Sequence, residues 1–417
     1  MIPPVGPTSF GAVVNAAAAA GVLVVQPRMG FGAAADMRAG LLATRSASAA
    51  TVGTLTLDSY TRVGDHASAR AALTSGAALN GFPIVTHRHS TTRAMLDGVL
   101  APGFPVQVRH GSPDPRRIVT ALTAVGLDAT EGGPVSYCLP YGREPLREAV
   151  ANWRRSCEML VRRTPAGRVP HVESFGGCLL GQLCPPGLLV AVSVLEALFF
   201  AQHGIGSVSL SYAQQTHAGQ DEEAITALRT LAAEHLPSEV DRHLVLYTYM
   251  GVYPRSATGA ANLLRASARL AARTGTERLI VKTVAEARRI PTVAENVAAL
   301  ELAAAVAART PRAPAPPDTG ILAEARTLVQ TVLGLHDDLG TALVKAFGLG
   351  LLDVPFCLHP DNSGRARSTI ADDGTLRWSD VGAMPIRATD PTGSTSTALT
   401  SVRLLTALHH VASQYDR

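Results

Sequence analysis

A (β/α)8 TIM-like barrel is the fold this sequence predicts, and three observations predict it. Short apolar, β-like runs alternate with amphipathic helical stretches from residue 22 to about 283, the pattern of a parallel sheet under helical cover. Eight or nine such runs over about 250 residues favour a closed barrel over an open sheet. Charged residues also recur at or just beyond the carboxyl ends of the runs: Arg28, Arg62, Arg109, Glu131, Glu173 and Lys282. In a barrel those positions converge on one mouth. An open doubly wound sheet would normally carry a phosphate-binding glycine loop, and the chain contains neither GxGxxG nor GxxxxGK[ST].

Taken in order, the strand runs are residues 22–26, 52–57, 81–85, 105–108, 126–129, 169–172, 208–212, 244–249 and 279–281. Helical periodicity covers residues 145–161, 188–203, 222–235 and 257–274. Residues 1–307 are therefore assigned to the barrel. The run TPRAPAPPDT, residues 310–319, reads as a proline-rich linker. A helix over 320–335 follows, then a turn-rich tail with a last helix near 401–414. Residues 308–417 form an appendage expected beside the barrel mouth, with too little apolar content for a core of its own.

Composition bounds the function. With 47% hydrophobic and 17% charged residues the 417-residue chain is globular. A net charge of +4 is too mild to argue for nucleic acid. No apolar run approaches the roughly 20 residues that span a bilayer, and the N-terminus lacks a basic signal-peptide region. A cytoplasmic enzyme, with no membrane or nucleic-acid partner, is the expectation. The five cysteines are odd in number and have no CxxC spacing, so buried free thiols are expected. No His/carboxylate set has metal-ligand spacing, and no GxSxG elbow occurs.

The remaining chemistry lies in the strand-end residues. Arginine binds carboxylate bidentately and stays charged near neutral pH, so three around one mouth suit a dicarboxylate. An isolated arginine would more simply be a surface or salt-bridging residue; the shared position raises the functional reading. In PVQVRHGSPD, Gln107 shares strand parity with Arg109, so both can face the interior. His110 beside Arg109 can bind a ligand, although a lone histidine more often packs. The loop EGGPVSYCLPY brackets two glycines with Glu131, Tyr137 and Tyr141. Its glycines allow close backbone approach, and Glu131 can take an ammonium group or a proton. VESFGG carries Glu173 and Phe175. Lys282 ends an apolar run, with Glu286 four residues on, a spacing that also permits an ordinary intrahelical pair.

These motifs together resemble the epsilon subunit of glutamate mutase, also called methylaspartate mutase. QPR, YTR, NGFP, QVRHGSPD, EGG–SY–PY, E–FG, VKT–EA–IPT, and VKAF with D–PF carry the resemblance, from about residue 22 to 385. It implies a barrel capped by adenosylcobalamin and a radical interconversion of L-glutamate and threo-3-methylaspartate. It implies that Arg28, Arg62 and Arg109 form a claw on the substrate carboxylates, and that Glu131 meets the substrate amino group. Gln107, His110, Tyr137 and Tyr141 are the implied substrate neighbours. Glu173, Phe175, Lys282 and Glu286 are the implied cofactor-side residues. The chain has no DxHxxG motif, so the resemblance also implies a separate small cobalamin-binding sigma subunit, in a heterotetramer built on a homodimer.

The chain departs from the family at Pro134 and Cys138, in YTYMGVYP (residues 247–254), and in shorter terminal regions. The compact form suggests a specialised copy feeding a secondary-metabolite (antibiotic) pathway. Two other readings are kept: a silent barrel that scaffolds the cobalamin subunit, and a lyase using Lys282 as a Schiff base.

Overall fold

Eight of the nine apolar runs become strands in the computed structural model, which describes residues 9–140, 142–179, 183–387 and 401–417. They are β1 (Val24–Pro27), β2 (Gly53–Thr56), β3 (Val106–Arg109), β4 (Ala129–Gly132), β5 (His171–Ser174), β6 (Ser207–Ala213), β7 (Asp241–Tyr247) and β8 (Arg278–Val281). All pair in parallel, in the order β1-β8-β7-β6-β5-β4-β3-β2. A bridge between Val25 and Thr51, with the Val25 N–H donated to the Ala50 carbonyl at 2.9 Å, closes the ring between β1 and β2. The fold is a (β/α)8 barrel.

Two strands lie further along the chain than the apolar runs suggest. β4 and β5 include Glu131 and Glu173 rather than ending before them. These carboxylates face the barrel axis, where polar partners satisfy them, so the ladder continues through them. The run at 81–85 is not a strand: Phe82 makes one bridge to Leu57. Pro83 has no N–H to extend a ladder. Gly81 lies against the β2 exit, where an added Cβ would stand 2.5 Å from the Leu57 carbonyl carbon.

Outside the strands the core is apolar. Val25, Leu55, Val108, Val172, Val208, Leu246 and Leu279 are all buried beneath the helical layer. The helix Pro186–Gln202 is the extreme case, with Pro186 to Ala197 wholly inside. It is covered from outside by the helix Ile321–Leu333, whose Ile321, Leu328, Val329 and Val332 join the same core cluster. The region after the linker thus packs on the barrel flank, and its 353–362 loop reaches the mouth side, where Asp361 accepts from Leu146 N at 2.6 Å. The last helical stretch is two short helices, Ser401–Leu408 and His410–Tyr415.

Inside, the barrel is polar, where barrels of this class usually hold Val, Ile and Leu. Its floor is apolar: Phe10, from the helix Phe10–Ala19, clusters with Val13, Val14, Val24, Val52 and Ala129. His171 stacks on Phe10 at 4.8 Å and on His243 at 5.2 Å. Above this lies Arg278, fully buried. It donates to His243 Nε2 at 3.2 Å and to Ser209 Oγ at 3.0 Å, and also to Gln26 and Glu173. Gln26 donates in turn to Thr54 and to Gln107, both at 2.9 Å, and Gln107 donates to Glu173 at 3.2 Å. Such a network is stable only because its members satisfy one another.

Candidate active site at the barrel mouth

One step above that network the strand ends deliver Arg109, Glu131 and Tyr247 to a common point. Arg109 Nε donates to Glu131 Oε2 at 2.6 Å, and Arg109 Nη2 donates to the Tyr247 hydroxyl at 3.2 Å. The Arg109–Glu131 pair is almost dry, with side chains 5% and 2% exposed. Among the described residues Arg109 Nη1 is buried without a partner. One edge of this guanidinium, Nε with Nη2, is therefore engaged, and Nη1 is left for a ligand.

Glu131 is nearly spent. Its Oε2 accepts from Arg109, with the Tyr247 oxygen 2.8 Å away, and its Oε1 accepts from the Tyr137 hydroxyl. A carboxylate offers about four acceptor directions, so one on Oε1 remains, which suits a single ammonium donor.

The loop after β4 is held from behind by Glu196. Its carboxylate accepts from Val135 N at 3.1 Å, Ser136 N at 2.8 Å, Ser136 Oγ at 3.0 Å and Ser174 Oγ at 3.1 Å. Burial nevertheless pushes the Glu196 carboxyl up to about 7. Gly133 is required here, because an added Cβ would stand 2.0 Å from Glu196 Oε1. Tyr141 lies outside the described residues.

His110 stacks on Trp153 at 5.7 Å and meets the Tyr137 ring edge-on at 5.3 Å. Its Nδ1 accepts from Ser112 N at 3.1 Å. Burial first, then the Arg62 and Arg109 charges, bring its pKa down to about 3. The ring is therefore neutral, with the proton on Nε2, and among the described residues Nε2 is a second buried donor without a partner. Arg62 lies over Gly111, where a Cβ would be 3.3 Å from Arg62 Cδ. Among the described residues Arg62 enters no ion pair.

On the opposite side of the mouth, Arg28 donates to Glu286 at 2.6 Å, and Lys282 reaches the same carboxylate oxygen at 3.6 Å. The spacing suggested an intrahelical pair; the segment after β8 is instead a series of turns, with the next helix starting at Val293. Lys282 Nζ also sits 4.9 Å from the Tyr253 ring. Burial, opposed by Glu286 and aided by Arg28, brings the Lys282 amine down to about 8. For Glu286, burial works upward, but Arg28 and Lys282 outweigh it and keep the carboxylate ionised.

Two residues expected to face a cofactor sit lower. Glu173 has no exposed surface. It pairs with Arg278 and takes the Tyr247 hydroxyl, because the charge of Arg278 has to be met inside the barrel. Phe175 is 4% exposed and packs its ring on Tyr137 and Tyr247 at 5.1 and 5.4 Å. Sequence reading passed over Tyr247 and Arg278. Strand parity could have found them, since Tyr247 shares a face of β7 with His243, and Arg278 on β8 has the parity of Lys282 just beyond it.

Residues 6–393 match the family of the methylaspartate mutase E chain (MutE). The chain belongs to the methylaspartate mutase E-chain family. It is 31% identical to the glutamate mutase epsilon subunit of Halobacterium salinarum over 79% of this chain and 71% of that one. It is 29% identical to the Escherichia coli O157:H7 epsilon subunit, over 79% and 72%. The epsilon subunit of Desulfitobacterium hafniense is 30% identical over 79% and 71%. Membership of the methylaspartate mutase family makes this chain an isomerase of the glutamate/methylaspartate mutase type. Among the described residues no helix is long and apolar enough to cross a membrane, and no group of three or more His, Cys, Asp or Glu side chains is placed to hold a metal.

Proposed function

We propose that this chain is the substrate-binding large subunit of an adenosylcobalamin-dependent mutase that interconverts L-glutamate and threo-3-methylaspartate. The observation that carries the reading is the charge balance at the mouth. Among the described residues the ion pairs that Arg28, Arg62, Arg109 and Lys282 make there are with Glu131 and Glu286 alone, while Arg278 and Glu173 neutralise one another below. Two positive charges are left over, which suits a ligand with two carboxylates. The unpartnered Nη1 of Arg109 and Nε2–H of His110 are donors for one of those carboxylates, and the free direction on Glu131 Oε1 accepts the amino group.

In this reading Arg28, Arg62 and Arg109 hold the substrate by both ends while its carbon skeleton rearranges, a positioning task rather than acid–base work. Glu131 holds the amino group. Lys282 and Glu286, at the rim and partly exposed on the carboxylate side, have the donor and acceptor to meet the hydroxyls and ring nitrogens of an adenosyl group. Bound adenosylcobalamin supplies the carbon-centred radical chemistry that such a skeleton exchange needs. The dry walls made by Tyr137, Phe175 and Trp153 keep water away from reactive carbon. The corrin and its lower ligand come from a separate small subunit.

Reconstitution tests this. The purified chain should show no glutamate-to-methylaspartate conversion alone. It should gain that activity with adenosylcobalamin and the small cobalamin-binding subunit together, in proportion to the small subunit added. Activity that needs no cobalamin and is trapped on Lys282 by borohydride would replace the mutase reading with a Schiff-base one.

A further inference from the structure

The Tyr247 hydroxyl joins Arg109 and Glu131 at the mouth to Glu173 in the network beneath. Its oxygen accepts from Arg109 Nη2 at 3.2 Å, and its ring lies 5.1 Å from the Arg109 guanidinium carbon. A phenol has one hydrogen to give. Two carboxylate oxygens are within reach, Glu131 Oε2 at 2.8 Å and Glu173 Oε1. Glu131 Oε2 already has Arg109 Nε as its donor, whereas among the described residues Glu173 Oε1 has no donor but Tyr247. The hydrogen therefore goes to Glu173, and the phenol oxygen and Glu131 Oε2 share one edge of Arg109.

We propose that Tyr247 is a positioning residue: it fixes the fork of Arg109 from below by anchoring it, through Glu173, to Arg278. The inference rests on Arg109 being a carboxylate-binding group. Every joint in this chain is buried and hydrogen-bonded. Glu173 Oε2 takes Arg278, Gln107 at 3.2 Å and Ser209 at 3.3 Å, and Arg278 is itself held by Gln26 and His243. With Nε and Nη2 both engaged, the Arg109 plane cannot turn about its Cδ–Nε bond. Nη1 then points at one place only, and that place sets where a substrate carboxylate must sit. Without the hydroxyl, Arg109 is tied at Nε alone and can swing. An error of about 1 Å in a positioning group can lower a rate on the order of a hundredfold.

The charged and titratable groups facing Tyr247 are Arg109 from β3, Glu131 from β4 with Tyr137 beyond it, Glu173 from β5 with Cys178 beyond it, and Arg278 beneath, through Glu173. For Glu173, burial works to raise the carboxyl. The charges of Arg278 and Arg109 outweigh that, and hydrogen bonds from Tyr247 and Arg278 lower it further. Removing the hydroxyl therefore makes Glu173 easier to protonate.

The test uses Tyr247→Phe, which keeps the ring. In the complete enzyme with adenosylcobalamin and the small subunit, kcat should fall at least roughly tenfold. The acid limb of its pH profile should move to higher pH. A fall in kcat with an unmoved acid limb, or no fall at all, overturns the proposal. A second readout needs no turnover: infrared titration of the full chain carrying 13C-labelled glutamate. The protonated carboxyl band of Glu173, assigned as the signal lost in Glu173→Gln, should arise at higher pH in Tyr247→Phe than in the unsubstituted chain. Fluorotyrosine at position 247, a stronger donor, should move the band to lower pH, and this holds the test open should the phenylalanine variant not fold. Bands that do not move overturn the proposal. Bands that move in a chain without mutase activity leave the anchoring in place and remove the substrate reading alone.

Discussion

The lower interior of the barrel and the mouth above it are built from the same residue types and use them in different ways. Below, Arg278 is surrounded by Glu173, Gln26, Ser209 and His243, and all its donor atoms are engaged. Above, Arg109 keeps one terminal nitrogen unpartnered, His110 keeps its Nε2, and Arg62 enters no ion pair among the described residues. Both regions are largely buried, so the contrast is not one of solvent. A buried donor left open is costly unless something fills it. The lower arginine is a structural member whose requirements are met within the chain, and in the proposed function the upper ones are completed by a ligand.

The contrast breaks most visibly at Arg278. Removing it leaves Glu173 charged, buried and without its cation, a situation that costs about 3–5 kcal/mol. Arg278→Ala should lower stability by that amount in denaturant unfolding. A loss below about 1 kcal/mol would mean that the lower network is not the closed unit described.

Arg109→Lys sharpens the other half. Lysine keeps a charge but lacks the planar fork, so it cannot serve Glu131, Tyr247 and a ligand together. The fold should persist while kcat/KM falls by about 1.5–3 kcal/mol of binding, roughly tenfold to a hundredfold. Unchanged kinetics would make Arg109 a structural residue like Arg278.

The smallest effect concerns the rim. Burial first, with Arg28, brings Lys282 to about 8 against the opposing pull of Glu286, so the mouth loses a positive charge just above neutral pH. Activity of the complete enzyme should fall through that pH, and Lys282→Arg should push the alkaline limb upward. Stability should move the other way. Between pH about 8 and 10.5 the folded chain binds fewer protons at Lys282 than the unfolded chain does, so this group's contribution to stability rises with pH. An alkaline limb unchanged in Lys282→Arg would take Lys282 out of the functional charge balance.

The barrel was legible from the alternation of apolar runs and helices, and the mouth from charges at their ends. What sequence could not supply was depth. Glu131 and Glu173 look alike as carboxylates near the ends of adjacent strands, and they pair in register on β4 and β5. The first meets Arg109 from the strand on one side. The second meets Arg278 from across the barrel, more than a hundred residues along the chain. No local pattern distinguishes a partner above from one below. Arg278 was hidden for a related reason: it opens its strand, so it read as the boundary of an apolar run and not as part of the interior. The failed strand at 81–85 was a matter of composition, since phenylalanine, isoleucine and valine there outweighed the proline among them.

Phe10 carries a consequence for traffic. It is wholly buried, stacked beneath His171 and 4.9 Å from the guanidinium carbon of Arg278, and it stoppers the lower end of the barrel. A molecule held by Arg109 has no passage downward, through a packed aromatic ring and a buried, hydrogen-bonded polar layer. Among the described residues, the mouth is the doorway left to such a molecule. Whatever seats on the mouth during a reaction also stands in that doorway, so entry must come before it closes, and release must wait until it lifts.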